Sequence, residues 1–539
     1  MNRINVSSAM NRAALNPYMP RDLLALLALA VFMIWLGWSG YHGIDALPYS
    51  IAATEWVSQG PHIGTNHWAL RLPHVIPITI SFASLGISDF SLVLPSIIYF
   101  LGLVLVTYLA VRAALDRTNG LIAAAVVAVT PTFATGASLA NPELTELFFV
   151  VCSIWLFYHA ANRPEPRWML FASGLAAGIA WLTRETAVSL ILLYGVFFLF
   201  AYRFPRNHYF ALASGLLLVA GAEIFVYAIY TGDPLYRLHL DLSHSECTPA
   251  TGTLMIKQAG LNWFTAPFRL LADEGTVLLY LCAAGGFIFV ITRGQYSRAQ
   301  KAVLIIFVAL TLLHFVFAGY VLGFKVLARY YLISTYGGAI LAGIGLTEVY
   351  RYRTYRPAIL LFGLVLVSSS LFITAVRSWD RVYGARALAR FVGEQQTVVY
   401  TDLATRRAST FFFLDQPGLT KLVRSEPPSQ GALYFFNGPR VSRRALTRGE
   451  RYLPPDQMKE GWQEIWRAEP DPGKGELIIK ALGLKSLLPK KTAAWIDARQ
   501  TPVVVYRVGG AEIVDLNLSR EWESDWSRPQ RCDPWLTIK

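Results

Sequence analysis

The sequence predicts an α-helical protein that crosses a membrane about eleven to thirteen times and ends in a small soluble α/β domain. Apolar residues make up 54% of the 539 residues and charged residues only 15%, whereas soluble globular proteins carry about 25% charged residues. The charges are also concentrated, because 44 of the 83 lie in residues 378–539. We therefore expect a membrane domain over residues 22–377 and a soluble domain over residues 378–539.

Eleven apolar runs are candidates for membrane-spanning helices, which need roughly 20 mostly apolar residues. They are residues 22–40, 91–111, 120–135, 144–161, 168–183, 186–202, 210–230, 276–292, 302–322, 331–347 and 357–376. No small-residue cleavage pattern follows the first run, which favours a span over a removed signal peptide.

The segment between the first two spans predicts two further helices. Apolar residues within 49–57 have helical spacing and indicate a short helix lying in the membrane interface. Residues 70–85 are apolar but contain Pro73 and Pro77, which favours an interfacial or re-entrant helix.

The orientation follows from the distribution of Lys and Arg between short loops. With residues 1–21 in the cytoplasm, the inner segments carry fifteen Lys and Arg and the outer segments eight, as the positive-inside rule requires. An odd number of spans then places residues 378–539 outside, together with two long loops at 41–90 and 231–275. Topology thus accounts for much of the net charge of +13, and we expect no nucleic-acid partner.

Ionisable side chains recur at the predicted outer ends of the spans. They are Asp45, His67, Arg71, His74, Glu143, Arg184, Glu185, Lys325 and Arg329. Each has an ordinary explanation, since acids favour helix starts and cations near span ends reach lipid headgroups. Together they place bases and cations on one face, where carboxylates can accept a proton from a hydroxyl and guanidinium groups can bind phosphate. This combination indicates chemistry on a lipid-linked phosphate at the outer surface.

Six short segments, in this order, resemble the GT-C class of integral-membrane glycosyltransferases. They are residues 43–49 (GIDALPY), 67–74 (HWALRLPH), 85–96 (LGISDFSLVLPS), 141–143 (NPE), 178–185 (GIAWLTRE) and 329–332 (RYYL). The resemblance covers roughly residues 20–377. The most similar branch contains the protein O-mannosyltransferases, the lipid A aminoarabinose transferases and their bacterial relatives.

The resemblance implies an inverting transfer of a sugar from a polyprenyl-phosphate donor to an acceptor hydroxyl on a lipid, glycan or protein. It takes place at the outer face of the bacterial inner membrane, with the C-terminal domain in the periplasm or extracellular space. Asp45 would act as the general base. Arg184, Arg329, Arg71 and Lys325 would bind the donor phosphate and stabilise it as it leaves. Glu143, Glu185, His67 and His74 would orient the acceptor or the arginines.

The first loop departs from many of these relatives, which have two adjacent acids where this chain has Asp45 and Ala46. No metal site or cofactor is therefore assigned, although a divalent metal stays open.

The C-terminal part shows alternating strand-like runs and helices. Strands are expected at residues 397–401, 411–414, 432–437, 476–481, 503–508 and 512–516, and a helix at 383–392. If this part lies outside, Cys532 shares an oxidising compartment with Cys247. A disulfide between them and two separate thiols are both open.

Two other function classes are open. A transporter or flippase of lipid-linked sugars would need acids deep in the membrane and an internal repeat. Glu223 is the one clear acid at depth, where it should be buried, paired or protonated, and no repeat is evident. A non-catalytic scaffold would leave the ionisable groups at the span ends unexplained.

Overall fold

Helices account for most of the chain in the computed structural model, which describes residues 18–43, 46–247, 265, 268, 275–293, 296–321, 328–426, 428–442, 461–488 and 490–509. In the membrane part the helices are α1 Met19–Leu36, α2 Leu47–Gln59, α3 Leu72–Leu85, α4 Asp89–Ala114, α5 Arg117–Val129, α6 Pro131–Ala137, α7 Pro142–Ala160, α8 Arg167–Thr183, α9 Val188–Leu199, α10 Arg206–Thr231, α11 Tyr236–Cys247, α12 Val277–Arg293, α13 Arg298–Val316, α14 Leu332–Arg351 and α15 Arg356–Arg377. Every predicted span coincides with one of these helices or with the pair α5 and α6.

Seven helices among the described residues are long and apolar enough to cross a membrane alone. The pair α5 and α6, bent by 64°, makes an eighth if it is one span. The bend lies at Pro131, whose ring disfavours a helical conformation at Thr130. Helices α8, α9 and α12 have 17, 12 and 17 residues, fewer than an upright span requires, and this accounts for the difference from the predicted number.

Both helices expected in the first outer loop are present as α2 and α3, which pack against each other. Each has a proline in its first turn, where the missing N–H has no helical partner to lose. The helices α8 and α10 approach so closely that a Cβ at Gly174 would lie 1.9 Å from the carbonyl oxygen of Leu212. This close contact joins the middle of α8 to the first third of α10.

Residues 379–508, here named the C-terminal unit, contain a five-stranded sheet of order β2-β1-β3-β5-β4. The strands are β1 Val399–Tyr400, β2 Val423–Arg424, β3 Leu433–Asn437, β4 Gln463–Ala468 and β5 Val503–Arg507, and the helices are α16 Tyr383–Gln395, α17 Leu403–Ser409, α18 Pro417–Thr420, α19 Lys474–Ala481 and α20 Lys490–Arg499. Strands β1, β2 and β3 are parallel, whereas β5 runs antiparallel to β3 and β4. The predicted class, a polytopic helical membrane protein with a small α/β part, is confirmed.

Two predicted strands are wrong. Residues 411–414 lie largely in a 3-10 helix, Thr410–Phe413, whose Phe411 and Phe413 are buried in two different clusters and so imitate an alternating strand. Residues 476–481 lie in α19, where the Glu476 carboxylate accepts a hydrogen bond from the N–H of Gly473 and caps the helix. The expected strand at 512–516 lies outside the described residues.

Candidate functional site

Glu143 is the centre of a buried cluster of charged side chains. The side chain of Asn141 accepts a hydrogen bond from the Glu143 N–H at 3.0 Å and starts α7 there. The Glu143 Oε1 atom lies 2.9 Å from Nη1 of Arg184 and 3.5 Å from Nε of Arg329. The structure therefore brings two predicted arginines, from segments far apart in the chain, to the carboxylate of a third predicted site residue.

The guanidinium group of Arg184 retains hydrogen-bonding capacity. Arg184 follows α8 in extended conformation and is 5% exposed. Its Nη1 atom lies 2.9 Å from Oε1 of Glu143 in an ion pair, whereas its Nε atom has no hydrogen-bond partner. A buried N–H without an acceptor costs about 1–3 kcal/mol, so this group favours an additional anion or polar ligand.

The ring of Tyr330 lies against both arginines of this cluster. Its centroid is 5.0 Å from the guanidinium carbon of Arg184 and 5.4 Å from that of Arg329. The backbone carbonyl of Tyr330 is 2.9 Å from Nε2 of His314, whose Nδ1 lies 2.8 Å from the hydroxyl of Ser189. These contacts connect α9, α13 and the turn before α14 behind the two guanidinium groups.

Arg71, which immediately precedes α3, adds a third cation. Its Nη1 donates a hydrogen bond of 2.5 Å to the hydroxyl of Tyr49, while its Nε has no partner. Burial alone would lower the pKa of Arg71, but Tyr49, Glu185 and Glu143 outweigh it and raise the pKa. Arg71 is therefore charged at any physiological pH and interacts electrostatically with Glu143 of this cluster and with Glu185.

The two predicted histidines have different surroundings. His74 is fully buried, with Nδ1 3.0 Å from the hydroxyl of Thr145 and its ring edge-on to Tyr49. Its Nε2 atom has no hydrogen-bond partner. The ring of His67 packs against that of Trp68, with centroids 3.7 Å apart.

Glu185 takes part in a second ionic group, centred on Arg237. The Arg237 side chain donates to Glu185 at 3.1 Å through Nε and to Glu223 at 3.1 Å through Nη1. It also donates to the carbonyl oxygens of Trp181 and Leu182 at the end of α8. Glu223 is thus paired, one of the states expected for it.

Asp241 borders this second group and is unusual for an acid outside the spans. It lies 3.8 Å from Nε of Arg237. Burial, followed by the charge of Glu185, raises the pKa of Asp241 to about 7. Sequence reasoning missed Arg237 and Asp241, because a cation and an acid in a long loop carry no sign of burial.

The guanidinium groups of Arg184 and Arg329 thus contact the carboxylate of Glu143, and the charge of Arg71 interacts with it without direct contact. One turn further along α7, Glu146 is buried and accepts a hydrogen bond of 2.6 Å from the hydroxyl of Thr186. Within the part of the chain that the structure describes, no group of three or more His, Cys, Asp and Glu has the arrangement of a metal site. The cluster has the chemistry of an anion-binding site.

Several predicted residues fall where the structure gives no account of them. Asp45, Lys325 and Cys532 lie outside the described residues, as does the side chain of Cys247. The roles of Asp45 and Lys325 and the pairing of the two cysteines stay predictions. Cys152 and Cys282, which are described, are free thiols.

Comparisons with known proteins give both sequence and structural similarities. Residues 73–226 match the family model of dolichyl-phosphate-mannose-protein mannosyltransferase. YkcB of Bacillus subtilis (strain 168), which carries the name of a candidate mannosyltransferase, is 29% identical over 114 residues. That match spans 21% of this chain and only 16% of the relative's length.

Two solved proteins share the fold over most of the chain. ArnT from Cupriavidus metallidurans in the apo state has a TM-score of 0.54 at 12% identity, covering 89% of this chain and 97% of ArnT. Its structure bound to undecaprenyl phosphate gives a TM-score of 0.53 at 12% identity, with 91% and 99% coverage. The Archaeoglobus fulgidus oligosaccharyltransferase in complex with Zn and sulfate gives 0.52 at 14% identity, with 79% and 69% coverage.

These comparisons support a membrane glycosyltransferase, and the match over residues 73–226 includes His74, Glu143, Arg184 and Glu185. The resemblance of this chain to the GT-C class of membrane glycosyltransferases, in the branch of the protein mannosyltransferases and ArnT, is thereby confirmed.

Proposed function

We propose that this protein transfers a sugar from a polyprenyl-phosphate donor to an acceptor hydroxyl, with inversion at the anomeric carbon. The observation that carries the proposal is the cluster around Glu143, where Arg184 and Arg329 contact one carboxylate and Arg71 adds a third positive charge nearby. Arg184 and Arg71 retain N–H groups without a hydrogen-bond partner. A lipid-linked phosphate matches this excess of positive charge. The ArnT structure with undecaprenyl phosphate, a protein of the same fold, adds support for this class of ligand.

The arginines would act mainly on the leaving group. In the transfer, the acceptor oxygen attacks the anomeric carbon and the bond from that carbon to the phosphate oxygen breaks. The phosphate changes from a diester with one negative charge to a monoester with up to two. Preformed positive charge at that position stabilises the transition state more than the ground state, and this difference is what accelerates a reaction.

Arg184 and Arg71 are assigned to the phosphate because each is buried or half-buried and has an unpartnered Nε. Arg329 shares Glu143 and Tyr330 with Arg184, and Lys325 precedes it in the sequence as a further candidate. Glu143 is already in ionic contact with two arginines, so we assign it to holding them in place.

The proton of the acceptor hydroxyl goes to Asp45 in this proposal. The assignment rests on the resemblance of residues 43–49 to the first-loop motif of GT-C enzymes. The flanking backbone supports it, since the carbonyl of Gly43 accepts hydrogen bonds from the N–H groups of Ala46 and Leu47 at 3.0 and 3.1 Å. These hydrogen bonds join the beginning of the loop at 41–90 to α2, and α2 carries Tyr49, which accepts a hydrogen bond from Arg71.

We further propose that the protein lies in the bacterial inner membrane, with its N-terminus in the cytoplasm and residues 378–539 outside. The distribution of Lys and Arg between the loops supports this orientation, and a helix is present at every predicted span. The acceptor is a lipid, a glycan or a protein, and the sugar is a hexose or a pentose.

The test uses purified full-length protein in detergent, with a polyprenyl-phosphate mannose as the probe and glycan or lipid acceptors from the envelope. Consumption of the donor without a second compartment supports a transferase and contradicts a flippase. Arg184→Gln should lower kcat at least a hundredfold, because one removed oxyanion donor typically costs 10²–10³ in rate. Arg167→Gln, at the exposed opposite end of α8, is the matched control and should keep wild-type activity.

A further inference from the structure

The C-terminal unit is in contact with the four residues that begin the first outer loop, Gly40 to Gly43. The ring of Tyr41 stacks on Phe411 with centroids 4.2 Å apart and meets the edge of Phe412 at 5.6 Å. Tyr41 and Phe411 are both buried, in one apolar cluster with Val382. The apolar half of this contact thus joins the membrane part to the 3-10 helix after α17.

Polar contacts reinforce the same junction. The N–H of Tyr41 donates to Oδ1 of Asp89 at 3.0 Å, and Oδ2 of Asp89 lies 2.8 Å from Nη1 of Arg386 in α16. Arg386 also holds Asp380, with Nε 2.9 Å from its Oδ2. The side chain of Arg381 donates to Nε2 of His42 at 2.9 Å when that nitrogen is unprotonated.

The backbone of the segment is shaped to fit these contacts. Gly40 and Gly43 have φ angles of +70° and +95°, a region that disfavours other residues. An added Cβ would lie 3.2 Å from Asp89 at the first position and 3.2 Å from Val382 at the second. The two glycines therefore allow the backbone to bend and also to approach Asp89 and Val382 closely.

The segment 40–43 connects the C-terminal unit to the proposed transfer site. The carbonyl of Gly43 accepts hydrogen bonds from the N–H groups of Ala46 and of Leu47, the first residue of α2, so the position of Gly43 is coupled to the start of that helix. Helix α2 carries Tyr49, which binds Arg71. In the sequence, Asp45 lies between Gly43 and Ala46.

We propose that the C-terminal unit is a positioning element of the transfer site, and that Phe411 and Arg386 act as positioning residues through the segment 40–43. This inference rests on the proposed function, in which the segment leads to the general base. The unit orders the first outer loop for proton transfer, whereas the donor phosphate is bound by the arginines around Glu143. Loss of the contacts should therefore reduce kcat more than it raises KM for the donor.

The test compares full-length Phe411→Ala, Arg386→Gln and Arg386→Lys with wild type. Arg390→Gln is the matched control, since Arg390 lies one turn further along α16, is 78% exposed and pairs only with Glu394 among the contacts shown. Hydrogen–deuterium exchange of the peptide covering residues 40–47 reports on the loop without requiring activity. We expect exchange at least tenfold faster and kcat at least tenfold lower for Phe411→Ala and Arg386→Gln, with KM for the donor within twofold of wild type. Arg386→Lys should be intermediate and Arg390→Gln unchanged.

Protection of strand β3 in the same exchange data shows whether each variant keeps a folded C-terminal unit. Wild-type exchange at residues 40–47 in both variants would overturn the inference, and so would faster exchange with wild-type kcat. Asp45→Asn and Arg184→Gln, assayed in parallel, separate this failure from that of the proposed function. If both keep full transfer activity, the proposed site is wrong, whereas the exchange data still decide whether the unit holds the loop.

Discussion

Replacing Glu143 by glutamine should lower the thermal stability of the ligand-free protein and raise its affinity for a lipid phosphate. The change removes a carboxylate that contacts both Arg184 and Arg329, at 2.9 and 3.5 Å. Removing one partner of a buried ion pair costs about 3–5 kcal/mol, and we expect the lower end, since Tyr330 still contacts both guanidinium groups. The apo variant should therefore lose thermal stability in detergent.

The gain in affinity follows from the same geometry. A phosphate on the far side of the Arg184 guanidinium would lie about 8 Å from the Glu143 carboxylate. At an effective dielectric constant of about 20, the repulsion removed is about 2 kcal/mol, which corresponds to roughly a thirtyfold lower Kd. A ligand that binds only the folded state stabilises it in proportion to the logarithm of its concentration over Kd.

The assay is a thermal shift series with undecaprenyl phosphate at several concentrations. Glu143→Gln should start from a lower Tm and be stabilised at lower ligand concentration than wild type. Glu165→Gln, in an exposed loop, is the control and should match wild type in both respects. A variant that loses its response to the lipid phosphate would refute the reasoning, because the contribution of Glu143 to holding the arginines would then outweigh the repulsion that its charge exerts on the phosphate.

Three further predictions concern the surroundings of the cluster. Folding raises the pKa of Asp241 from 3.8 to about 7, so the protonated carboxyl favours the folded state. This contribution to stability is complete below about pH 4 and is lost as the pH rises through 7. The variant Asp241→Asn should therefore show a flatter dependence of Tm on pH between pH 5 and 8. Tyr49→Phe removes the acceptor for Arg71, and one lost hydrogen bond of about 1 kcal/mol should lower kcat/KM about fivefold in steady-state assays. Gly174→Ala should reduce the yield of monodisperse protein in size-exclusion chromatography, since its Cβ would overlap a carbonyl of α10, whereas Gly195→Ala, with no atom within 4 Å, should not.

Apolar runs of suitable length were sufficient to locate the membrane helices, because a helix in a bilayer must satisfy its backbone within itself. The sequence also indicated which ionisable groups to consider, and Glu143, Arg184 and Arg329 do lie together. Their catalytic and binding roles stay predictions. Sequence spacing alone could not separate these groups from ordinary interfacial charges.

The remaining features depend on tertiary contacts that leave no local pattern. Arg237 is buried because Glu185 and Glu223, fourteen or more residues away, converge on it. Phe411 and Phe413 resemble a strand in sequence, but they belong to a 3-10 helix whose aromatic rings contact different neighbours. The association of the C-terminal unit with residues 40–43 likewise joins positions more than three hundred residues apart.

The cluster around Glu143 takes its charges from segments made at widely separated moments of synthesis. Arg71 and Glu143 precede Arg184, and Arg329 enters the bilayer only with α14, the second-to-last helix of the membrane part. A nascent chain that has inserted its first ten helices still lacks one of the three guanidinium groups. The proposed anion site is therefore completed late in biogenesis, and if that proposal holds, a prematurely terminated chain should be unable to retain a sugar donor.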